Sequence, residues 1–439
     1  MKGPMNRDLL KQAFREPHAP GHSRRDFVAR CAWAAFGLAV MPAVGDAFAD
    51  AASAGPAVRG AGFGKAKRVI VINLQGGLSH LDSFDPKGGA SKGPGETVGT
   101  KAGFQLTSFL PETAKVAGEL TVIRSMTAKV GVHETAQYLI RTGFEPRGTL
   151  VHPNFGAWAQ HYLGASHATL PSNVCINHGA EHGNGFFPAS HSPLPIFDAN
   201  QGLPNAKPQG SLAVAEKRLD LLHHMDQDFA AKVPDARVRD YGSFYDETLK
   251  LMKSADLKAF DLTQEDAALR DGYGRTRLGQ GCLLARRLTE HGVRYVEVTS
   301  GGWDMHKGLE EAMGETGADF DKAFAALIAD LKQRGLLDST LVAVVTEFGR
   351  KPEMEGDGRG HHPAAFSTVL AGGGTKRGFV YGATDAKGYA PAEKPVTPSE
   401  LHATLAFAAG LPFEQEIKTD EGRPMAIGNK AKPVLGVFA

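Results

Sequence analysis

The chain carries an aspartate and a histidine at a spacing that suits metal binding. Asp304 and His306 are separated by one residue and follow an apolar run, residues 293–298, in the segment Thr-Ser-Gly-Gly-Trp-Asp-Met-His. Alternate positions in a turn can point the same way, so a carboxylate and an imidazole placed there can share one divalent cation. The alternative is that Asp304 only caps a following helix.

A second polar group follows another apolar run, residues 341–345. Glu347 lies at the end of that run, and Arg350 comes three residues later. A buried carboxylate at a strand tip is costly unless it is paired, so we expect either Arg350 or a metal ion to neutralise Glu347. The glycine-rich loop that follows can bring His361 or His362 back over the strand ends, although both imidazoles could equally face solvent.

Further candidates lie in segments with helix or loop signals. His133 begins an amphipathic segment, and a helix N-terminus favours a nucleophile or an anion-binding group. Three histidines, His178, His182 and His191, lie in a stretch rich in Gly, Pro and Asn, where they either line a substrate pocket or are ordinary loop residues.

The segment that follows the first apolar run contains His80, Asp82 and Asp85. Asp85 precedes a proline, so we expect it to form a turn. His80 and Asp82 can be either metal ligands or parts of that turn.

The elements that must position these residues are buried strands and amphipathic helices. Apolar runs at 68–74, 293–298 and 341–345 predict strands buried on both faces, each ending in a polar turn that contains glycine. A helix predicted at 320–334 joins the last two strands as a parallel crossover. We predict further helices at 212–231, 238–260, 275–291 and 399–409, and an irregular loop at 176–210. The fold class is therefore α/β, a doubly wound, mostly parallel sheet with helices on both faces and a helical and loop insertion at about 176–262.

The N-terminus predicts export. Arg24 and Arg25 precede an apolar run, residues 32–44, and a small-residue cleavage site at 47–49. This is the layout of a twin-arginine signal peptide, and the run is too short for a membrane span, which needs about 20 apolar residues. We expect a signal peptide at 1–49, a linker at 50–67, one α/β domain at 68–439, export by the twin-arginine translocase, and a periplasmic or extracellular location.

Composition narrows the function classes. Residues 1–49 hold seven basic and four acidic side chains, and the rest of the chain holds 42 basic and 44 acidic ones. This balance gives no electrostatic footprint for nucleic acid or for an anionic membrane. Beyond the signal the chain has two cysteines, Cys175 and Cys282, which could form one bridge but imply no disulfide framework. No nucleophile elbow, phosphate-binding loop or dinucleotide fingerprint stands in the context that it needs.

The ordered motifs resemble a known family of exported bacterial proteins. The segments GGLSHLDSFDPK, GGWDMH, LVAVVTEFGR, GRGHHPAAFSTVLAGGG and VTPSELHATLAFAAG, which span nearly the whole chain after the signal, resemble the family called domain of unknown function 1501. That family is similar to the sulfatase and alkaline phosphatase superfamily. The resemblance implies an alkaline-phosphatase-like domain with one or two metal ions at the strand ends, and transfer of phosphoryl or sulfuryl groups.

The resemblance also shows departures from the superfamily pattern. Glu347 keeps the carboxylate of the sulfatase Ser-Asp-His-Gly segment, but Phe348 replaces its histidine ligand. Gln75 and Gly76 stand where sulfatases carry two aspartates, and His133 falls on the position of the nucleophilic Cys or Ser.

The sequence therefore predicts a metal-dependent hydrolase of phosphate or sulfate esters. We expect Asp304, His306, Glu347 and His361 to hold a divalent metal ion, which could be Zn, Ca, Mg or Mn. His133 would act as nucleophile or as general acid and base, and Arg350 would bind an anionic oxygen of a small-molecule or glycan ester. The alternative is a noncatalytic envelope protein that binds glycans or a partner through the same cleft.

Overall fold

The computed structural model describes residues 60–148, 150–179, 183–203, 206, 211–232 and 249–439. The predicted signal peptide, most of the predicted linker, His182 and part of the helix predicted at 238–260 lie outside these residues. Residues 255–260 of that predicted helix form a 3-10 helix.

A mostly parallel sheet forms the centre of the described part of the chain. Its eight strands lie in the spatial order β12, β4, β11, β8, β1, β7, β5, β6. Their bounds are β1 Arg68–Leu74, β4 Leu120–Met126, β5 Asn173–Ile176, β6 Leu194–Ile196, β7 Tyr295–Ser300, β8 Thr340–Val345, β11 Phe366–Ala371 and β12 Phe379–Tyr381. Short antiparallel pairs are β2 Thr97–Gly99 with β3 Gln105–Thr107, β9 Gly349–Arg350 with β10 His361–His362, β13 Ala383–Thr384 with β14 Pro391–Glu393, and β15 Ile417–Lys418 with β16 Pro424–Met425.

One strand of the sheet runs against the others. β1 is parallel to both β7 and β8, whereas β11 is antiparallel to β8 and to β4. The segment between β8 and β11 therefore starts and finishes at the same end of the sheet. That end is where β1, β7 and β8 all have their carboxyl termini, the usual place for a site in an α/β protein.

Helices cover both faces of the sheet. Their bounds are α1 Pro111–Val116, α2 His133–Thr142, α3 Phe155–Leu163, α4 Leu212–Lys232, α5 Ala267–Tyr273, α6 Arg277–Glu290, α7 Leu309–Ala312, α8 Ala318–Gln333 and α9 Pro398–Ala409. Alternate residues of β1 point to opposite faces, so Ile70 and Ile72 join a core with α6 and α8, while Val69 and Val71 join a second core with α3 and α9. The predicted α/β class with helices on both faces is confirmed.

Two boundaries differ from the prediction for local reasons. β7 starts at Tyr295 rather than at Val293, because the backbone N–H of Val293 donates to Leu288 O and ends α6. The predicted irregular loop at 176–210 contains β6, which pairs in parallel with β5. Three residues with a central Pro195 give little strand signal, and proline is tolerated there because β6 is an edge strand.

No helix among the described residues combines the length and the hydrophobicity that crossing a membrane requires. Cys175 and Cys282 are both buried and both free.

Candidate metal centre

Asp304 lies where the chain after β7 crosses the end of β1. The N–H of Trp303 donates to Gln75 O, and a side chain at Gly76 would have its Cβ 2.4 Å from the backbone nitrogen of Asp304. Gly76 also has a φ of +122°, so both conformation and space require glycine there. The close crossing fixes Asp304 over the tip of the central strand.

His133, the first residue of α2, connects two carboxylates. Its Nδ1 lies 2.8 Å from Oε1 of Glu347, and its Nε2 lies 3.3 Å from Oδ1 of Asp304. Because the contact with Glu347 is the shorter of the two, the proton of a neutral His133 lies on Nδ1, and Nε2 is the ring nitrogen nearer to Asp304. This Nε2 is buried and makes no hydrogen bond.

His361 returns to the site on a hairpin. Strands β9 and β10 pair Arg350 with His361, which brings the imidazole back over the strand ends. Nδ1 of His361 lies 2.9 Å from Gly131 O, and its Nε2 lies 3.1 Å from Oδ1 of Asp304. Because a backbone carbonyl only accepts, Nδ1 of His361 carries a proton, and Nε2 is the ring nitrogen that faces Asp304.

The hairpin that carries His361 is anchored by a buried ion pair. Arg359 is fully buried, and its Nε donates to Oδ2 of Asp82 at 2.7 Å. The same guanidinium donates to Lys351 O and Ser91 O, both at 3.0 Å. Asp82, which the sequence left open, therefore lies in a structural contact that fixes the height of His361 above the sheet.

His306 lies at the rim of the cluster. Its Nε2 is 3.1 Å from Oδ1 of Asp304 and 2.9 Å from Nε2 of His361, and its side chain is 47% exposed. The imidazole thus contacts both the cluster and the solvent.

Glu347 lies behind His133 rather than beside Asp304. It is 1% exposed, and its Oε1 accepts from the backbone N–H of Gly76 at 2.8 Å and from Nε2 of Gln137 at 3.3 Å, besides its contact with His133. These contacts direct Oε1 towards Nδ1 of His133.

Arg350 is 1% exposed and is held by neighbouring acceptors. Its guanidinium donates to the carbonyls of Gly77 at 2.9 Å, Arg359 at 3.0 Å and Trp303 at 3.1 Å, and also to Gly76 O. Nη2 donates to Oδ1 of Asp304 at 2.5 Å. These contacts favour a role in holding Asp304 over direct binding of a substrate.

The charge state of Asp304 follows from these neighbours. Burial alone would raise its pKa, but hydrogen bonds from Arg350 and His361, together with the charge of Arg350, outweigh burial and lower the pKa to about 2. Asp304 is therefore ionised at neutral pH.

The donor set fits a divalent cation. His133, Asp304 and His361 each offer one ligand atom, and the three atoms lie within 4.8 Å of one another. Ligating histidines usually donate their other ring N–H to a carboxylate or a carbonyl, as His133 does to Glu347 and His361 to Gly131. Nε2 of His133, which makes no hydrogen bond, is the atom that a cation would satisfy.

The histidines of the predicted pocket contact other partners. His191 packs on Phe187 and His161, with ring centroids 5.3 Å and 5.9 Å apart, and burial lowers its pKa to about 4. His178 contacts Gly179 O. His182 lies outside the described residues, so its predicted role in substrate binding stays a prediction, as do those of His178 and His191.

The remaining open residues lie in structural contacts. His80 is fully buried with its Nε2 2.9 Å from Gly388 O, and burial lowers its pKa to about 4. Nε2 of His362 lies 2.6 Å from Tyr389 O. Asp85 pairs with Lys87 at 3.0 Å and with Arg124 at 3.4 Å.

The structure also contains a buried charge cluster that the sequence reasoning missed. Glu297, in the middle of β7, is 3% exposed, and its Oε1 accepts from Nε of Arg141 at 2.9 Å and from Nδ2 of Asn73 at 3.1 Å. A glutamate inside an apolar strand was a visible signal, since a buried carboxylate requires a partner. The spacing gave no means of choosing Arg141.

Solved structures with a similar chain course are remote in sequence. The chain is similar to the lipoteichoic acid synthase LtaP from Listeria monocytogenes at 10% identity and a TM-score of 0.38, over 83% of this chain and 77% of that one. It is similar to a sulfatase from Pseudoalteromonas sp. at 12% identity and a TM-score of 0.37, over 84% and 74%. A phosphonate monoester hydrolase from Silicibacter pomeroyi gives 12% identity and a TM-score of 0.35, over 85% and 76%. Similarity at this level assigns no role to any residue of this chain.

Family membership rests on the sequence. No curated protein matches the chain significantly. The sequence profile of the family described as protein of unknown function (DUF1501) matches residues 66–438, nearly the whole described part, and the chain therefore belongs to that family.

Proposed function

We propose that the protein is an exported, metal-dependent hydrolase of phosphate or sulfate esters whose cation is held by His133, Asp304 and His361. The observation that carries the metal site is the orientation of the two imidazoles. Both have Nδ1 engaged by an acceptor and Nε2 directed at the same carboxylate oxygen.

The donor types favour one metal among the four that the sequence left open. Imidazole nitrogens suit zinc, whereas magnesium and calcium prefer oxygen ligands. Two histidines and one aspartate therefore favour Zn²⁺, and three protein ligands are typical of catalytic rather than structural zinc. A cation bound there would supply Lewis acidity towards an oxygen of the ester.

The surrounding residues position these three ligands. Glu347 holds the Nδ1 proton of His133, Gly131 O holds that of His361, and Arg350 fixes Oδ1 of Asp304. In this assignment Glu347 and Arg350 are positioning residues.

A variant of His306 can test metal binding and catalysis separately. Its exposure at the rim supports a role in donating a proton to the leaving oxygen of the substrate. The sequence-based prediction is that His306 is a further ligand. The metal content of His306→Ala distinguishes the two, because a proton donor can be removed without loss of metal.

The ester chemistry and the export are supported by sequence. The ordered motifs resemble a superfamily that transfers phosphoryl and sulfuryl groups, and the cluster lies at the carboxyl ends of parallel strands. Arg24 and Arg25 support export by the twin-arginine translocase. Retention of Arg24→Lys, Arg25→Lys protein in the cytoplasm would test that part separately.

The central experiment combines metal analysis with turnover. Protein purified without an affinity tag should contain about one equivalent of metal and should hydrolyse an aryl phosphate or an aryl sulfate. His361→Ala should lose both properties, whereas the neighbouring His362→Ala, whose imidazole contacts Tyr389 O, should keep both. Less than about one tenth of an equivalent of metal together with no turnover would contradict the proposal.

A noncatalytic binding protein is the second candidate. The observation in its favour is that the donors of Arg350 go to backbone carbonyls and to Asp304, so this guanidinium is not presented to a substrate oxyanion. Metal at full occupancy without turnover of any ester would support this candidate.

A further inference from the structure

A cavity of about 620 Å³ lies at the opposite end of the sheet from the candidate metal centre. Its lining includes Arg68 and Tyr295, the first residues of β1 and β7, whereas Asp304 follows the carboxyl end of β7. Six residues of strand separate the two ends by roughly 20 Å. The volume is within the range of about 300–1,000 Å³ typical of small-molecule sites.

One part of the cavity wall is apolar. Phe155, Ala159 and Leu163 follow one another at four-residue intervals on α3 and therefore share one face of that helix. Phe63 and Tyr295 add two aromatic side chains to the lining. An alkyl or aryl group would be desolvated along this wall.

Another part of the lining carries cations that have no carboxylate partner among the described residues. Lys67, Arg68 and Arg294 line the cavity, and none of the described residues that line it is acidic. Their hydrogen bonds run to neutral acceptors: Nζ of Lys67 to Gly64 O at 2.9 Å, Nη1 of Arg68 to Ser339 Oγ at 3.3 Å, and Nη1 of Arg294 to Gly164 O at 2.7 Å.

Arg294 differs in this respect from the buried arginines elsewhere in the fold. Arg286 contacts the carboxylates of Glu265, Glu290 and Asp330, and Arg141 contacts Glu297. Burial lowers the pKa of Arg294, and no carboxylate in the described part of the chain offsets this effect. A partly buried cation is costly without a counter-charge, so the cavity is suited to binding an anion.

A second polar group in the lining lacks a partner. Oγ of Ser166 is buried and makes no hydrogen bond. This hydroxyl exposes almost no surface to the cavity, so Lys67, Arg68 and Arg294 are the groups that a bound head group would contact.

We propose that this cavity binds a single-chain amphiphile with one anionic head group. The head group pairs with Lys67, Arg68 and Arg294, and the chain packs against the apolar wall formed by α3 and its aromatic neighbours. The inference does not depend on the proposed hydrolase, because none of the metal-centre residues lines the cavity.

Calorimetric titration of the full chain with dodecanoate below its micellar concentration tests the proposal, with dodecanol as the uncharged probe of equal chain length. Dodecanoate should bind with about one equivalent, and dodecanol at least about 10-fold more weakly, because it lacks the charge-assisted bonds to the cations. Arg294→Gln and Arg68→Gln should each weaken dodecanoate binding by about 10-fold or more.

Two further variants separate the cavity from the rest of the surface. Leu163→Trp, at an exposed position of the lining, should block binding while the far-ultraviolet circular dichroism stays unchanged. Arg275→Gln makes the same charge change at an exposed site near the start of α6 and should leave binding unchanged. Equal binding of dodecanoate and dodecanol, or binding indifferent to both Arg294→Gln and Leu163→Trp, would overturn the proposal. Metal content measured in the same samples reports on the candidate hydrolase independently.

Discussion

Two carboxylates near the central strands each contact an arginine, yet their surroundings differ. Glu297 is 3% exposed, and Arg141, Asn73 and Tyr295 all donate to it. The side chain of Asp304, in contrast, is 47% exposed and is flanked by imidazoles, one of which has a buried Nε2 without a hydrogen bond.

This difference separates a structural ion pair from a candidate site. In the Glu297 cluster each carboxylate oxygen has a protein donor, so this carboxylate needs no further partner. In the Asp304 cluster the Nε2 atoms of two imidazoles lie near one ionised oxygen, and a divalent cation could bind all three residues. An exposed carboxylate beside an imidazole nitrogen without a hydrogen bond therefore indicates a candidate site better than two opposite charges in contact do.

The largest expected effect is on stability, through the buried ion pair of Arg141 and Glu297. Arg141→Ala leaves Glu297 buried without its cation and should lower the free energy of unfolding by about 3–5 kcal/mol, measured by urea denaturation. Metal content should stay unchanged. The double variant Arg141→Met, Glu297→Met removes both charges and should recover most of the loss. A loss below about 1 kcal/mol for Arg141→Ala would mean that the pair is already solvated.

The next largest effect is on the metal affinity of the cluster around Asp304. Asp304→Asn should weaken metal binding by at least about 100-fold, measured by competition with a chelator, because an ionised ligand is replaced by a neutral amide. Asp357→Asn changes the same functional group at an exposed loop position and should leave the affinity unchanged. Unchanged affinity in Asp304→Asn would remove Asp304 from the ligand set.

Two histidines that are buried in the fold, unlike those around Asp304, should make the free energy of unfolding depend on pH. Burial lowers the pKa of both His80 and His402 to about 4, from an ordinary value of 6.5. Below pH 6.5 the unfolded chain binds protons that the folded chain does not, so each histidine should reduce the free energy of unfolding by about 2 kcal/mol between pH 7 and pH 5. Urea denaturation at the two pH values measures the loss. It should be smaller in His402→Gln, and an equal loss in that variant would contradict the assignment.

The smallest effect concerns the carboxylate behind His133. Glu347→Gln keeps the size of the side chain but weakens its hold on the Nδ1 proton, so metal affinity should fall by at least about 10-fold. Gln137→Ala removes only the 3.3 Å bond to the same oxygen and should change the affinity by less than about twofold. Complete loss of metal in Glu347→Gln would instead support the sequence-based prediction that Glu347 is itself a ligand.

The sequence predicted the elements that depend on local patterns. The apolar run 68–74 coincides with β1, and the periodicity at 320–334 lies within two residues of α8. The helix predicted at 399–409 differs by one residue from α9, and Gly410 follows α9 in the left-handed conformation that ends many helices. Apolar runs and helical spacing can be recognised from neighbouring residues, so these predictions needed no information about tertiary contacts.

The site was predictable only in part, because its contacts join distant segments. Asp304 could be singled out at a strand end, whereas the glycine loop offered His361 and His362 equally, and only the family resemblance favoured His361. That His133 lies between Asp304 and Glu347 depends on where α2 packs against the sheet, which no spacing in the sequence encodes. The anchoring of the hairpin by Arg359 and Asp82 likewise pairs residues 277 positions apart.

The reversed direction of β11 has a consequence for how such proteins can diversify. Residues 346–365 connect β8 to β11, so both ends of this segment lie at the same end of the sheet. Within the segment, the pairing of β9 with β10 holds Arg350 opposite His361. Insertions at the exposed tip around 355–357 would lengthen this segment without shifting the register of β8 or β11. Doubling the length of a flexible loop costs only about 0.6 kcal/mol in closure entropy. Evolution could therefore reshape the entrance to the cluster through this one segment while the interior stays constant.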